Sequence, residues 1–379
     1  MRPQPALPLL ACGRVTEHGI RTHLMEQLIP DASFAVMPQF MLIVVTVAAT
    51  WFLIKGADWL VDGAVEMANR LGIPKVIIGA TVVSLGTTSP EAAVSVMAAW
   101  ANKPGLALGN AVGSIIVDTG LIFGLGCVLV VLPADRFVLK RQGLVKVMVC
   151  GLLAVICYGL FIANSDQATL GRWVGVVLVV LLAAYLAMSS LWGLKHPHGE
   201  PFIDPGSADA GGAPRGKSVA ILIGCGLGGL VLVVFSSRFL IGSVSQLAIE
   251  WGIPRVVIAS TIVALGTSLP ELVVGMTALV KGHRELLVGN VIGADILNVL
   301  FVVGASSLAA PLPIIDPGAN HPRLFLFLHL PTMLIMASLF LVYILVAVRR
   351  GAFYKWFGYP LLVLYAVYIA GQYLLESGG

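Results

Sequence analysis

Charge is scarce in this 379-residue chain. Asp, Glu, Lys and Arg make up 11% of it while hydrophobic residues make up 58%, against about 25% charged residues in ordinary soluble domains. A surface built from so few charges excludes an ordinary water-soluble enzyme or binding module. Short alternating segments are missing too, which excludes a transmembrane β-barrel. The five cysteines (Cys12, Cys127, Cys150, Cys157 and Cys225) form no CxxC or Cys/His spacing. Four of them lie in apolar runs and read as small packing residues, with no disulfide or soft-metal role. His196 and His198 form only an HxH pair in a polar stretch and read as solvated.

What the chain has instead is a series of apolar runs of membrane-spanning length, from about Phe40 to about Leu375. They define a polytopic helical membrane protein. Ten spans are expected, roughly at 39–69, 75–101, 105–132, 144–163, 172–194, 218–249, 255–280, 285–310, 324–348 and 356–375. Trp51, Trp100, Trp192, Trp251 and Trp356 fall near proposed span ends, as interfacial anchors do. Residues 1–36 read as a mildly polar leader, disordered or preceding the true start, since Met25 and Met37 follow. Residues 195–217, rich in Gly, Pro, Asp and Ser, read as a linker between two halves, 37–194 and 218–379. With the amino terminus outside, fourteen Lys and Arg, Lys146 among them, fall in cytoplasmic loops and four in the opposite loops. The positive-inside bias therefore places both termini outside and the linker in the cytoplasm of a cell inner (plasma) membrane protein. The net charge of +4 is a topology signal and implies no nucleic-acid partner.

The sequence also repeats itself. At an offset of 180 residues, LGIPKVIIGATVVSLGTTSPE (71–91) meets WGIPRVVIASTIVALGTSLPE (251–271), and LALGNAVGSIIVDTGLIFGLG (106–126) meets LLVGNVIGADILNVLFVVGAS (286–306). Pro90 falls on Pro270, Glu91 on Glu271, Asn110 on Asn290 and Gly113 on Gly293 without a gap. Five spans separate the copies, so the second enters the membrane from the opposite side. The fold class is thus all-α, ten transmembrane helices as two inverted five-helix repeats, an arrangement common among secondary transporters.

The chemistry lies where the repeats turn polar. GTTSPE (86–91) and GTSLPE (266–271) both sit in mid-span. Proline lacks an N–H and clashes with the preceding turn, so each helix must kink or break. The break frees carbonyls, Thr and Ser add hydroxyls, and Glu adds charge. That all-oxygen set suits a hard cation such as Ca²⁺ or Na⁺. The plain alternative is a proline kink whose hydroxyls bond back to their own helix. It does not explain Glu91 and Glu271, because a carboxylate at mid-bilayer costs at least about 2.5–3.5 kcal/mol. Asp118 and Asp295 add an acid to the next helix of each half. Asp295 aligns with Ile115 and Asp118 with Asn298, so the acids share a helical face one turn out of register. Each could instead be a lone buried acid bonded to a backbone donor. Asn110 and Asn290 are either ligands or helix-packing hydrogen-bonders. Asp58, Asp62 and Glu66 of the first span have no acidic counterparts in the sixth, and read as water-facing or paired locally with Lys55. Four carboxylates converging at mid-membrane call for a divalent cation, several monovalent ones, or protons. Competition among these is the physical basis of antiport.

These motifs resemble the α1 and α2 repeats of the calcium/cation antiporter superfamily, the sodium/calcium exchanger group. GTTSPE and GTSLPE are similar to its G-[TS]-[TS]-x-P-E signature. GNAVGSIIVD and GNVIGADILN are similar to its G-N-x-x-G-[SA]-[ND] signature. The resemblance implies cation sites between the second, third, seventh and eighth helices, with Glu91 and Glu271 shared by Ca²⁺ and Na⁺. It implies Thr87, Thr88, Thr267 and Ser268 as hydroxyl or carbonyl ligands, carbonyls near Ser84 and Ala264 in the sodium sites, and Asp295 as the α2 acid of members that use Na⁺. One departure stands out: the signature has Asn where this chain has Ile115, and Asn where it has Asp118.

The expected function is Ca²⁺/Na⁺ antiport by alternating access, with no cofactor and no obligatory protein partner. The partners are the transported Ca²⁺ and Na⁺ and the lipid bilayer. H⁺-coupled antiport of Ca²⁺ or another divalent cation is the alternative, and a passive channel a distant third, since channels arrange their sites as rings about an axis. An intramembrane hydrolase using Ser89 or Thr88 lacks any His or Lys base near the motifs.

Overall fold

The computed structural model describes residues 31–101, 103–195, 219–252, 266–315 and 323–377. The helices are α1 (Gln39–Leu71), α2 (Lys75–Thr87), α3 (Ser89–Trp100), α4 (Pro104–Leu129), α5 (Arg136–Asn164), α6 (Arg172–Lys195), α7 (Val219–Glu250), α8 (Leu269–Val280), α9 (Arg284–Ala309), α10 (Phe325–Arg350) and α11 (Gly358–Ser377). Eight of them are long and apolar enough to cross a membrane, and α2 and α8 are shorter apolar helices. The ten-span reading accommodates this, with α2 and α3 as the two pieces of the second span. The first part of the seventh span, with Ala264, lies outside the described residues, as do the linker from residue 196 and most of the leader. The end of that leader is ordered: Asp31–Ala35 is a short helix, and its buried Phe34 packs edge-on against Phe239 of α7.

The duplication is visible in the backbone. α3 and α8, and likewise α4 and α9, begin and end 180 residues apart. Within α4 and α9, Asp118–Phe123 and Asn298–Val303 each wind as π-helix. Such a turn adds a residue and marks functional positions in many helices. Four two-residue strands tie the halves together. β1 (Leu132–Pro133) pairs antiparallel with β4 (Ala352–Phe353), and β2 (Thr169–Leu170) with β3 (Leu312–Pro313). Each pair joins one strand from each half.

Burial grades the helices. The apolar window of α9 is 94% buried and that of α4 72%, whereas those of α1, α6 and α7 are each 28% buried. α4 and α9 are therefore the central pair, and the others present apolar faces outward to lipid. α1 packs chiefly along α7, and α2 chiefly along α9. Both contacts are close because glycine is there. A Cβ on Gly289 or Gly293 of α9 would run into the backbone of α2 at Val76 and Ala80, and one on Gly229 of α7 would lie 2.6 Å from Leu60 N of α1. Small residues at such crossings let backbones approach where the hydrophobic effect supplies no drive. Trp100, Trp251 and Trp356 are exposed at helix ends as anchors should be, but Trp51 is exposed well inside α1 and Trp192 is partly covered. Cys127, Cys150 and Cys157 are buried and unbonded.

Candidate cation site

Both Pro-Glu motifs interrupt their helices at the residue two before the proline. α2 ends at Thr87, Thr88 forms a turn (φ −82°, ψ −5°), and α3 starts at Ser89 with Pro90 in its first turn. Ser268 turns in the same way (φ −86°, ψ 9°) ahead of Leu269 and Pro270. The missing N–H of proline is harmless in a first turn, where no helical acceptor is available. Glu91 and Glu271 then fall in the first turns of α3 and α8. Helix N-termini carry partial positive charge that favours carboxylates.

Both glutamates are buried, and Thr88 of the first motif donates through Oγ1 to Glu271 Oε1 of the second at 3.2 Å. Thr87 lies at the same carboxylate. Thr267 is half-buried and Ser268 buried. The carbonyl of Ser84 accepts from Thr88 N at 2.8 Å, because the helix persists to Thr87. The back-bonding alternative holds for part of the segment, since Thr81 donates to Ile77 O at 2.7 Å, Ser84 to Gly79 O at 2.9 Å and Ser89 to Leu85 O at 2.6 Å. Ser84 reaches back five residues because residues 79–83 wind as π-helix.

Asp118 and Asp295 are buried beside each other on the two central helices. They do not merge with the glutamates into one cage. Among the described residues, no three acidic, histidine or cysteine side chains meet around a single point. The acids form two neighbouring pairs, Glu91 with Glu271 and Asp118 with Asp295, with Asp118 near enough to feel Glu271. A cation here would complete its shell with hydroxyl and carbonyl oxygens. Both oxygens of Glu91, both of Asp118, Oε2 of Glu271 and Oδ1 of Asp295 are buried without a hydrogen-bond partner among the described residues. Burying carboxylate oxygens uncompensated is too costly to be structural.

The two asparagines separate. Asn110 Nδ2 donates to Glu91 O at 3.2 Å and to Ser95 Oγ at 2.9 Å, tying α4 to α3. Asn290, in the equivalent place, is buried with both amide atoms unpartnered among the described residues, because Gly275 replaces the serine.

One residue belongs to the site that spacing placed elsewhere. Lys146 is not the loop cation that its place near a span edge predicts: the fourth span begins at Arg136, and Lys146 is 0% exposed inside α5 with its Nζ 2.8 Å from Asp295 Oδ2. The expected span at 144–163 holds Lys146 only two residues inside its edge, where a charge reads as a loop cation beside Arg136, Lys140 and Arg141. The only available signal was a lysine in an otherwise apolar stretch facing an unpaired Asp. Asp58 pairs locally with Lys55 and Asp62 is largely exposed, as expected, and a second cation joins them. Beyond Lys55, 3.6 Å from Asp58, they bind Lys281 at 3.2 and 2.8 Å, which fastens α1 to the turn after α8. Glu66 pairs with Arg70 at 2.8 Å. In the same turn His283 lies 3.4 Å from Lys75 Nζ, and burial together with that lysine pushes its pKa down to about 4.

Two inverted bundles with broken helices around enclosed acids define a membrane cation transporter. The comparisons make this specific. The model of the sodium/calcium exchanger protein family matches residues 41–191 and 221–374, and the chain belongs to that family. It is 28% identical over 345 residues to the sodium/calcium exchanger MaX1 of Methanosarcina acetivorans, covering 84% of this chain and 94% of that one. It is 31% identical over 262 residues to the inner membrane protein YrbG of Escherichia coli, covering 68% of this chain and 77% of the relative. Among solved structures, it is similar to the sodium-calcium exchanger NCX_Mj soaked with Na⁺ and Sr²⁺, with a TM-score of 0.70 and 27% identity over 88% of this chain and 99% of that one. The chain is thus a multi-pass antiporter of this family and not an enzyme.

Proposed function

We propose that the protein exchanges Ca²⁺ for Na⁺ across the cell's plasma membrane by alternating access, with both termini outside and the linker cytoplasmic. The observation that carries this is the set of buried carboxylate oxygens left without partners on Glu91, Glu271, Asp118 and Asp295. Glu91 and Glu271, with Thr87, Thr88, Thr267 and Ser268, would take Ca²⁺ or Na⁺ in competition. Carbonyl oxygens near Ser84 and Ala264 would complete sodium shells. α1 and α7, packed mainly on each other, would move as a pair across the core of α2, α3, α4, α8 and α9 and open the site to each side in turn. The names of MaX1 and NCX_Mj support sodium as the counter-ion. H⁺ coupling is a second reading, favoured by Asp118, a buried acid beside the carboxylate of Asp295, where a proton can be shared between the two. Uptake of radiolabelled Ca²⁺ into proteoliposomes under an imposed Na⁺ or pH gradient decides between them. Uptake driven by Na⁺ alone supports sodium coupling, and uptake driven only by pH overturns it. Glu91→Gln and Glu271→Gln should each abolish the flux, and full transport by either removes the site assignment.

A further inference from the structure

Lysine is almost never fully buried unless paired, and the surroundings of Lys146 account for every donor it has. Its Nζ lies 2.8 Å from Asp295 Oδ2, 2.9 Å from Thr119 Oγ1 and 3.7 Å from the centroid of the Phe340 ring. An ammonium offers three N–H groups and accepts nothing. A carboxylate oxygen, a hydroxyl oxygen and an aromatic face satisfy all three. Thr119 completes the arrangement by donating its own proton to the same Asp295 oxygen at 2.6 Å. Carboxylate and hydroxyl oxygens are what a bound monovalent cation would use, but this cation is covalently tied to α5 and cannot leave.

The tether exists in one half only. α5 and α10 leave their π turns at Leu144 and Leu330, so the counterpart of Lys146 is Thr332. The first half lends its cation to the acid of the second half, at the position where the first half has Ile115. The remaining acids have no such occupant: the oxygens of Glu91 and Asp118 and one oxygen of Glu271 are unpartnered among the described residues.

The geometry points to Lys146 as a resident cation of the transport site. Its ammonium holds the monovalent-ion position at Asp295, so the protein moves one monovalent cation fewer per cycle than the same four carboxylates would carry without it. This rests on the exchange reading above and deepens it into a statement about stoichiometry. Lys146 is a specificity-determining residue in this sense, setting how many counter-ions accompany each Ca²⁺.

The test is the charge moved per Ca²⁺, from paired current and radiolabelled Ca²⁺ flux in proteoliposomes holding the full chain. Lys146→Met should shift that ratio by one elementary charge per Ca²⁺. Lys146→Arg, which keeps a cation, should keep the wild-type ratio. Lys146→Met combined with Asp295→Asn should return it to the wild-type value, since the vacated position loses its acid. If Lys146→Met yields no folded protein, Lys146→Gln, which keeps a donor but no charge, is read in its place. An unchanged ratio in the uncharged variant overturns the assignment and leaves Lys146 a packing residue. The ratio is read whichever ion drives exchange, so a failure of sodium coupling shows separately, as wild-type flux that ignores Na⁺.

Discussion

Gly229→Ala tests whether the backbone crossing of α1 and α7 is as tight as it looks. The added Cβ would lie 2.6 Å from Leu60 N and 2.7 Å from Gly56 O, where ordinary contact begins at 3.4 Å. Both obstacles are main chain and cannot rotate aside, so the helices must part by about 0.8 Å at the crossing. Overpacking of this kind costs about 1–3 kcal/mol. Alanine also returns helix propensity, up to about 1 kcal/mol relative to glycine, which would mask part of the cost. Gly228→Ala separates the two effects. It sits one residue away on α7, where a Cβ meets no described atom within 4 Å, and it gains the propensity without the clash. Thermal unfolding of the two variants in one detergent should differ by about 1–3 kcal/mol. At roughly 2 °C per kcal/mol for a chain of this size, Gly229→Ala should melt about 2–6 °C below Gly228→Ala. Equal melting temperatures would refute the close crossing. Calcium flux should also slow in Gly229→Ala, because the parted helices are the pair proposed to move.

Thr88→Val keeps the shape and removes the 3.2 Å hydrogen bond to Glu271. A bond to a charged group is worth about 1.5–3 kcal/mol, and this one is long, so apparent Ca²⁺ affinity should fall about tenfold; unchanged affinity would show that Glu271 needs no such positioning. Lys281→Met removes the ties to Asp58 and Asp62. These groups are partly exposed and worth at most about 1 kcal/mol, so the balance between the two open states should shift no more than about fivefold. High salt on the wild type should reproduce part of that shift, and no response at low salt would dismiss the latch. His283 has a pKa of about 4, below the 6.5 of a free histidine. The unfolded chain then binds more protons between those values, so stability is lost as pH falls from 6.5 toward 4. His283→Gln should flatten that loss in melts taken between pH 7 and 4.5, and an identical slope in the variant would show that other groups set it.

The duplication, the spans and the paired Pro-Glu breaks could be read from the sequence because each leaves a local mark. An offset of 180 residues, a run of apolar residues and a proline are all one-dimensional signals. Relations across space left none. The fates of Asn110 and Asn290 are set by a neighbour fifteen residues away, Ser95 in one half and Gly275 in the other. The π turns at Asp118 and Asn298 have no composition of their own. Spacing alone assigns Lys146 to a loop because a charge near a span edge ordinarily snorkels to water. Only the fold shows it turned inward to Asp295.

The exchanged strands bear on how the protein is made. β1 finds its partner in Phe353 and Ala352, and β2 in Pro313 and Leu312, so neither strand of the first half has its mate until the second half has left the ribosome. Until then α4 stands in the bilayer with Asp118 and without α9, the helix that buries it. Synthesis therefore passes through an obligate half-molecule with open strand edges and an unsheltered acid. Its maturation has to wait for the last helices, and premature termination before Ala352 leaves β1 without its mate.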